Sequence, residues 1–193
     1  MLDQFVQYVK RLFPNIDPYI EEETKNALKQ FDKEGKEYHF ITTANFSFLA
    51  QGDILDGIPF VRTKADGSIM AHRGKGTVIS NTCSCDHDDC IVIAPLINIE
   101  SYRSDTGTIK KNLNYKLMYL KEYDNYVIDF SLCNTVNKNL VLSQIESRKI
   151  SKECTLNQLG FYLLIAKLTV CFLRPENSEV QSQRNSEFLT SIS

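Results

Sequence analysis

Four features are missing from this chain, and each absence excludes a class of protein. Residues Met1 to Gln7 contain no basic leader followed by an apolar run, so we expect no secretory signal peptide. The longest apolar segment, Leu159 to Leu173, contains Lys167 and falls short of the ~20 residues that cross a bilayer. The net charge of -2 and the pI near 5.9 give no general attraction to phosphate. No glycine-rich P-loop is present, so no nucleotide phosphate site is marked.

The composition is that of a soluble globular protein. The chain has 193 residues, 42% of them hydrophobic and 24% charged, which fits one domain with its own core. Its six cysteines occur without a leader sequence, which indicates reduced thiols and a cytoplasmic location. We therefore expect a cytoplasmic protein with no membrane contact.

The first segment, residues 1–36, is predicted to be helical. Apolar residues recur at helical spacing from Leu2 to Phe13, and Pro14 ends that pattern. Asp17-Pro18 is a helix start signal, since an N-cap acceptor precedes a proline at the first helical position. Gly35 ends the second helix.

The texture changes to short β-like runs over residues 37–133. The candidate strands are Tyr38–Thr43, Gly52–Val61, Gly76–Asn81, Ile91–Ile97, Tyr115–Leu120 and Tyr126–Phe130. Helical crossovers are missing between them, which disfavours a parallel α/β sheet. The pattern predicts an α+β protein with a small antiparallel β-barrel or a strongly bent sheet.

Residues 134–175 are predicted to be helices packed on the barrel, and residues 176–193 a flexible tail. Thr155-Leu156-Asn157-Gln158 has the form of a capping box, followed by a helix to about Leu173. This C-terminal helix is apolar on nearly every side, which is typical of a helix buried in a core or in the interface of a homo-oligomer.

One segment is rich in metal-ligating side chains. Cys83, Cys85, His87 and Cys90 are the ligand types of a structural zinc site, although four ligands in eight residues is a tight arrangement. The alternatives are reduced thiols without a metal, a Mg²⁺ site with oxygen ligands from Asp86, Asp88 and Asp89, and a nucleophile pair of Cys83 or Cys85 with His87.

A second segment, between Phe60 and Thr77, is locally basic within an acidic protein. Its cationic residues are Arg62, Lys64, His72, Arg73 and Lys75, against the single acid Asp66. Such a connection could contact the phosphates of RNA, contact an acidic protein surface, or aid solubility.

Residues 51–98 carry a series of short motifs in order: Gln51-Gly52-Asp53-Ile54, the basic glycine-containing loop, Gly76-Thr77-Val78-Ile79-Ser80 and Val92-Ile93-Ala94-Pro95-Leu96. This order resembles the MazF/PemK-like toxins, which are SH3-like barrels that commonly dimerise and act as endoribonucleases neutralised by an antitoxin. The segments Ser80-Asn81-Thr82-Cys83, Ala94-Pro95-Leu96 and Gly160-Phe161-Tyr162-Leu163-Leu164 also resemble a group of poorly characterised bacterial proteins.

The resemblance implies roles for particular residues. The family's catalytic arginine lies in a G-x-R-P turn, and Arg73 within His72-Arg73-Gly74-Lys75-Gly76 is the nearest counterpart, with His72 or His87 as the proton carrier. Arg62, Lys64, Arg73 and Lys75 would bind RNA. The hydroxyl that the family places after its V-x-P strand has no counterpart in Leu96-Ile97-Asn98-Ile99.

These departures favour one function over two alternatives. We predict an interaction or regulatory component of a bacterial toxin–antitoxin or phage-defence assembly, with a protein partner or homo-oligomer and with RNA as a further ligand. The alternatives are a metal-independent endoribonuclease toxin and a binding domain stabilised by zinc.

Overall fold

A computed structural model describes residues 39–44, 46–103, 106–172, 177–180 and 182–184. The helices predicted within residues 1–36 lie outside this described part. The described strands are β1 (Ile41–Thr42), β2 (Asp53–Thr63), β3 (Ile69–Val78), β4 (Cys90–Asn98), β5 (Leu117–Leu120), β6 (Tyr126–Asp129), β7 (Asn134–Asn137) and β8 (Ser151–Leu156). The helices are α1 (Thr82–His87), α2 (Thr106–Lys110), α3 (Lys138–Glu146) and α4 (Gln158–Phe172), with 3-10 turns at Ile99–Ser101 and Phe130–Leu132. Residues 178–180 and 182–184 are also helical.

The described strands pair antiparallel in one sheet, which confirms the α+β class and the antiparallel topology. The order is β1-β8-β2-β3-β4-β6-β5, and β7 pairs with β4 alongside β6. β4 is the central strand, because it pairs with β3 on one edge and with β7 and then β6 on the other. The path has two ends, β1 and β5, so these strands do not show a closed barrel.

The hairpin of β2 and β3 projects beyond the rest of the sheet. β8 covers β2 only over Asp53–Asp56, and β4 covers β3 only over Gly76–Val78. The two strands continue to pair with each other as far as the turn at residues 64–68. The distal half of the hairpin therefore has no described strand on either edge.

A bend in β2 carries this hairpin around towards β7. The register with β3 shifts between Leu55 and Ile58, which is the kind of irregularity that bends a strand. The N–H of Val61 then donates a hydrogen bond to Oδ1 of Asn134, at 2.8 Å. A single side-chain hydrogen bond thus joins β2 to the beginning of β7.

Buried apolar side chains form three clusters that hold the root of the hairpin. The first lies between the sheet and α4 and includes Ile54, Met118 and Leu164. The second fills the inside of the bend, where Phe60 and Ile93 meet α1 and α3. The third joins α2 to β5 and β6. Each large side chain that is fully buried contributes roughly 1.5–3 kcal/mol, so the hairpin root is firmly anchored.

Two segments expected to be irregular have regular structure. The basic connection between Phe60 and Thr77 is mostly strand, because charged side chains on exposed strand faces give the same composition as a loop. Residues 82–87, which lie between the predicted strands Gly76–Asn81 and Ile91–Ile97, form the helix α1. Asn81 is its N-cap, with Oδ1 accepting the N–H of Cys83 at 2.9 Å.

The C-terminal region contains two strands that the sequence pattern did not predict, β7 and β8. The capping box is also wrong, since Thr155 belongs to β8 and Asn157 caps α4, its Oδ1 accepting the N–H of Gly160 at 2.9 Å. The helix itself is confirmed, and its described part is Gln158–Phe172. Its buried residues, Gly160, Leu163, Leu164 and Lys167, lie on one face, whereas Phe172 is 71% exposed. Among the described helices, none has the length and apolar content needed to cross a bilayer.

Candidate binding groove

A groove of about 360 Å³ opens beneath the distal half of the hairpin. One wall is the hairpin, one is the end of β4 at Pro95–Ile97, and the third is the segment 131–134 that leads into β7. The groove lies where β3 parts from β4 and where β2 approaches β7 without pairing. Its lining contains Arg62, His72 and Lys75 but no acidic residue.

His72 presents an aromatic surface to this groove. It is paired across the strands with Phe60, and the two rings stack with centroids 5.8 Å apart and an interplanar angle of 27°. Phe60 is buried, whereas His72 is exposed and lines the groove. The imidazole is thus held by stacking on the ring of Phe60 and remains accessible to a ligand.

Arg73 lies on the opposite face of the hairpin. Adjacent residues of a strand point to opposite faces, so Arg73 and His72 cannot both project into the groove. The guanidinium Nη1 of Arg73 donates to the carbonyl oxygen of Gly57 at 2.6 Å and to Oε1 of Gln144 at 2.9 Å. The structure therefore separates the two residues predicted to act together, and Arg73 braces the hairpin against α3.

Lys75 lies at the inner end of the groove, and neighbouring carboxylates balance its positive charge. Its Nζ is 2.7 Å from Oε2 of Glu153 and 3.5 Å from Oδ2 of Asp56, and it also donates to the hydroxyl of Tyr123 at 3.0 Å. Burial works to lower the pKa of Lys75, but the hydrogen bond and charge of Glu153 outweigh it, and the pKa is raised. The ammonium stays charged, but its charge is directed to these carboxylates and not to a ligand.

Arg62 and Lys64 are the cations of the predicted RNA-binding set that remain available. Both are exposed, and no ion pair within the described residues involves either of them. The one acid in the distal half of the hairpin, Asp66, is bonded within the turn, where its Oδ1 accepts from the N–H and the hydroxyl of Ser68 at 2.9 and 2.6 Å. These bonds lower the pKa of Asp66.

The four predicted zinc ligands do not come together. Cys83 and Cys85 are two residues apart on α1, about 200° around the helix axis, so their side chains diverge. Cys85 is buried and its Sγ is 3.7 Å from the carbonyl oxygen of Ser80, while Cys83 and Cys90 are exposed and the side chain of His87 is 78% exposed. Across the described residues, no three His, Cys, Asp or Glu side chains are placed to hold a metal ion.

The structure also shows where the cysteines and the histidine of the predicted nucleophile pair lie. Cys83 and His87 both line a second cleft of about 680 Å³ between α1, the start of α3 and residues 47–49. Cys85 lies at its inner side, and burial raises the pKa of that thiol. A raised pKa disfavours the thiolate, which is the nucleophilic form of cysteine.

Several residues of the motifs that suggested a family have structural partners. Oγ of Ser80 accepts the N–H of Val92 at 2.8 Å, and Nε2 of Gln51 donates to the carbonyl oxygen of Ile79 at 2.7 Å. Asp53 is fully buried and its Oδ2 lies 2.8 Å from Nζ of Lys152. These residues hold β2, β3 and β4 in register beneath the hairpin.

Two residues that contact the hairpin from distant segments carry no signal in the sequence. Asn134 and Glu153 are far from the hairpin in sequence, and nothing in their local pattern indicates contact with it. Ile69, Met70 and Ala71 are consecutive, and Val61 follows Phe60, so no alternation of apolar and polar residues marks the distal hairpin strands in the sequence. No protein-family model and no curated protein sequence matches this chain.

Proposed function

We propose that this chain is a MazF/PemK-like barrel protein that acts as an interaction or regulatory component of a bacterial toxin–antitoxin or phage-defence assembly. The bent sheet would be an SH3-like barrel left open beside β7, and the β2–β3 hairpin would be its binding surface. One observation carries the proposal: the distal half of the hairpin exposes unpaired cations together with apolar side chains.

The charge of the hairpin supports an acidic partner. Arg62 and Lys64 project from a protein whose net charge is -2, and Asp66 is engaged by Ser68. A cationic patch on an acidic protein steers a complementary surface towards it and repels surfaces of the same sign. The hairpin is therefore suited to a partner that carries negative charge.

The apolar side chains favour a protein as that partner. Ile69 is 71% exposed, Val61 52% and Met70 38%, all on the same projecting hairpin. Single exposed apolar residues are common, but arginine and methionine grouped with aliphatic side chains are typical of protein interfaces. RNA would require aromatic side chains for base stacking, and His72 is the one that the groove exposes.

The proposal is tested by assembly with the product of the neighbouring gene. We expect size-exclusion chromatography with light scattering to show a complex, and the double variant R62E/K64E to weaken it at least tenfold. The matched control K110E/K111E makes the same change in charge at the end of α2. A chain that stays monomeric and retains no partner, or an R62E/K64E variant that assembles like the unmodified chain, would end the proposal.

An endoribonuclease is the second candidate, and the exposed imidazole of His72 in a groove lined with Arg62 favours it. In that case Arg62, on the same face as His72, would contact the phosphate in place of Arg73. His72 would move a proton while the arginine stabilised the developing charge. The absence of a hydroxyl at residues 96–99 counts against this candidate.

Cleavage of a single-stranded RNA separates the two functions. We expect no cleavage by the unmodified chain if it is a binding module. Cleavage that is lost in His72→Gln but kept in Arg73→Ala would establish the nuclease with the groove as its site. Loss in Arg73→Ala with His72→Gln active would show that the other face of the hairpin carries the chemistry.

A further inference from the structure

We infer that the outer edge of β3 binds an extended acidic segment of a partner protein as an added β-strand. The inference deepens the proposed function and rests on it, because it states how the hairpin would bind its partner and what chemistry that partner carries. Strand addition is a common way for a sheet to bind a peptide, since the main chain gives affinity and alternate side chains give specificity.

The edge is defined by the register of the hairpin. The N–H of Lys64 donates to the carbonyl oxygen of Ser68 at 2.8 Å, which sets the even-numbered residues of distal β3 facing β2. The N–H and C=O groups of Ile69, Ala71 and Arg73 therefore face away from β2. All three residues are exposed, and no described strand pairs with them, because β4 reaches β3 only at Gly76.

The two edges of the hairpin differ in how they are protected. On β2, Pro59 has no N–H to offer and the N–H of Val61 is bonded to Asn134. On β3, residues 69–73 contain no proline, and no described hydrogen bond takes their outward N–H groups. An unprotected edge is a template for another strand, so β3 is the edge that a partner would use.

Charge selects the occupant of this edge. A second copy paired at this edge would bring two hairpins that each carry Arg62, Lys64 and Arg73 close together, and surfaces of like charge repel each other. An acidic segment removes that conflict. Its acidic residues would lie on the groove face beside Arg62 and His72, and its apolar residues on the other face beside Ile69.

The row next to distal β3 is open to an added strand. β4 pairs with β3 only over Gly76–Val78 and with β6 from Leu96 onward, so no described strand occupies that row. An added strand would continue the sheet from there towards the tip of the hairpin. The segment required is therefore short, about five residues paired with residues 69–73.

The probe is a fluorescein-labelled ten-residue peptide that alternates valine and glutamate. We expect its anisotropy to rise on titration with the full chain, and the affinity to fall as salt is added. Two control peptides separate the causes: valine alternating with lysine tests charge, and the valine–glutamate peptide with every second amide N-methylated tests main-chain pairing. We expect each control to bind at least tenfold more weakly.

Ala71→Pro is the informative variant, with Ala71→Ser as its matched control. Ala71 is not hydrogen-bonded to β2, so proline there removes only an outward N–H, as Pro59 does on the other strand. We expect A71P to weaken binding of the acidic peptide at least tenfold and A71S to leave it unchanged. Circular dichroism verifies that both variants fold.

Amide hydrogen exchange of the unmodified chain gives a readout that does not depend on any variant. The peptide should protect the N–H groups of Ile69, Ala71 and Arg73 and leave those of Met70 and His72 unchanged. No peptide binding, equal binding by A71P and A71S, or protection without alternation would each overturn the inference. If these N–H groups become protected without peptide as the protein concentration rises, the occupant of the edge is a second copy and the inference is wrong. It is also wrong if single-stranded RNA displaces the peptide and the amides are not protected.

The outcome is distinguishable from failure of the proposed function. If the partner assembly is lost in R62E/K64E but retained in A71P, the hairpin is a binding surface and strand addition is the part that fails. If no partner assembles at all, the proposed function fails first.

Discussion

Replacing Lys167 should reveal how much of the stability depends on one buried cation. Lys167 is 6% exposed on α4, and its Nζ donates to three carbonyl oxygens, those of Asn112 at 2.8 Å, Asn114 at 2.7 Å and Leu117 at 2.6 Å. An ammonium has three N–H donors, so all of them are used. The side chain thus fixes the loop before β5 to the C-terminal helix.

Lys167→Met keeps the length of the side chain but removes every donor. The carbonyl of Leu117 is buried and loses its charged partner, at a cost of roughly 1–3 kcal/mol. Asn112 and Asn114 are half-buried, so water can replace the ammonium there at a smaller cost. We expect the free energy of unfolding in urea to fall by about 3 kcal/mol. The exposed control Lys111→Met should change it by less than about 0.5 kcal/mol.

The pH dependence gives the same prediction a second readout. Burial lowers the pKa of Lys167 from 10.5 to about 7. Between these values the unfolded chain holds the proton more tightly than the folded chain, so the contribution of Lys167 to stability rises with pH. The difference in unfolding free energy between the unmodified chain and K167M should grow by about 2 kcal/mol from roughly pH 7 to pH 9. Equal stabilities, or a difference that does not change with pH, would refute this account of the cation.

Three further changes test other parts of the structure. Asp53→Asn removes the carboxylate that pairs with the nearly buried Lys152, so we expect the free energy of unfolding in urea to fall by about 3 kcal/mol. Glu153→Gln, which removes the partner of the more exposed Lys75, should lower it by less than about 1 kcal/mol. Equal losses of unfolding free energy in the two variants would contradict this. Gly160→Ala should lower the melting temperature despite the better helix propensity of alanine, because its Cβ would lie 2.3 Å from the carbonyl oxygen of Phe40; an unchanged or higher value would show that the close approach relaxes freely. Cys83 and Cys90 should react with a thiol reagent in the folded chain, and Cys85 only after unfolding. Metal analysis after dialysis should find no stoichiometric zinc. One zinc per chain would contradict our description of α1 as a helix with separated thiols.

Local patterns predicted the parts of the fold whose chemistry is local. The β-branched runs around Ile54, Ile93 and Val127 correspond to β2, β4 and β6, and the apolar run from Leu159 corresponds to α4. Local composition predicted a loop where the structure has charged, exposed strands, as in the distal half of the hairpin. The cysteine-rich run has the ligand types of a zinc site, but it forms a helix that Asn81 caps.

The candidate site was only partly predictable. The basic residues of the hairpin are visible in the sequence, and Arg62 and His72 do line the groove. Which of the others remain available depends on contacts with distant segments. Arg73 meets Gln144, and Lys75 meets Glu153, which is 78 residues away. A local window contains no information about either partner.

By itself, the sequence determined the antiparallel α+β character, the cores of β2, β4, β5 and β6, and the excess of positive charge between Phe60 and Thr77, because side-chain periodicity and composition act over a few residues. Tertiary structure alone decided that the described sheet bends without closing, that His72 and Arg73 face opposite ways, and that Nζ of Lys167 lies among three carbonyls 50 to 55 residues away. Each of these depends on which remote groups meet when the chain is compact, and that is a property of packing and not of any segment read alone.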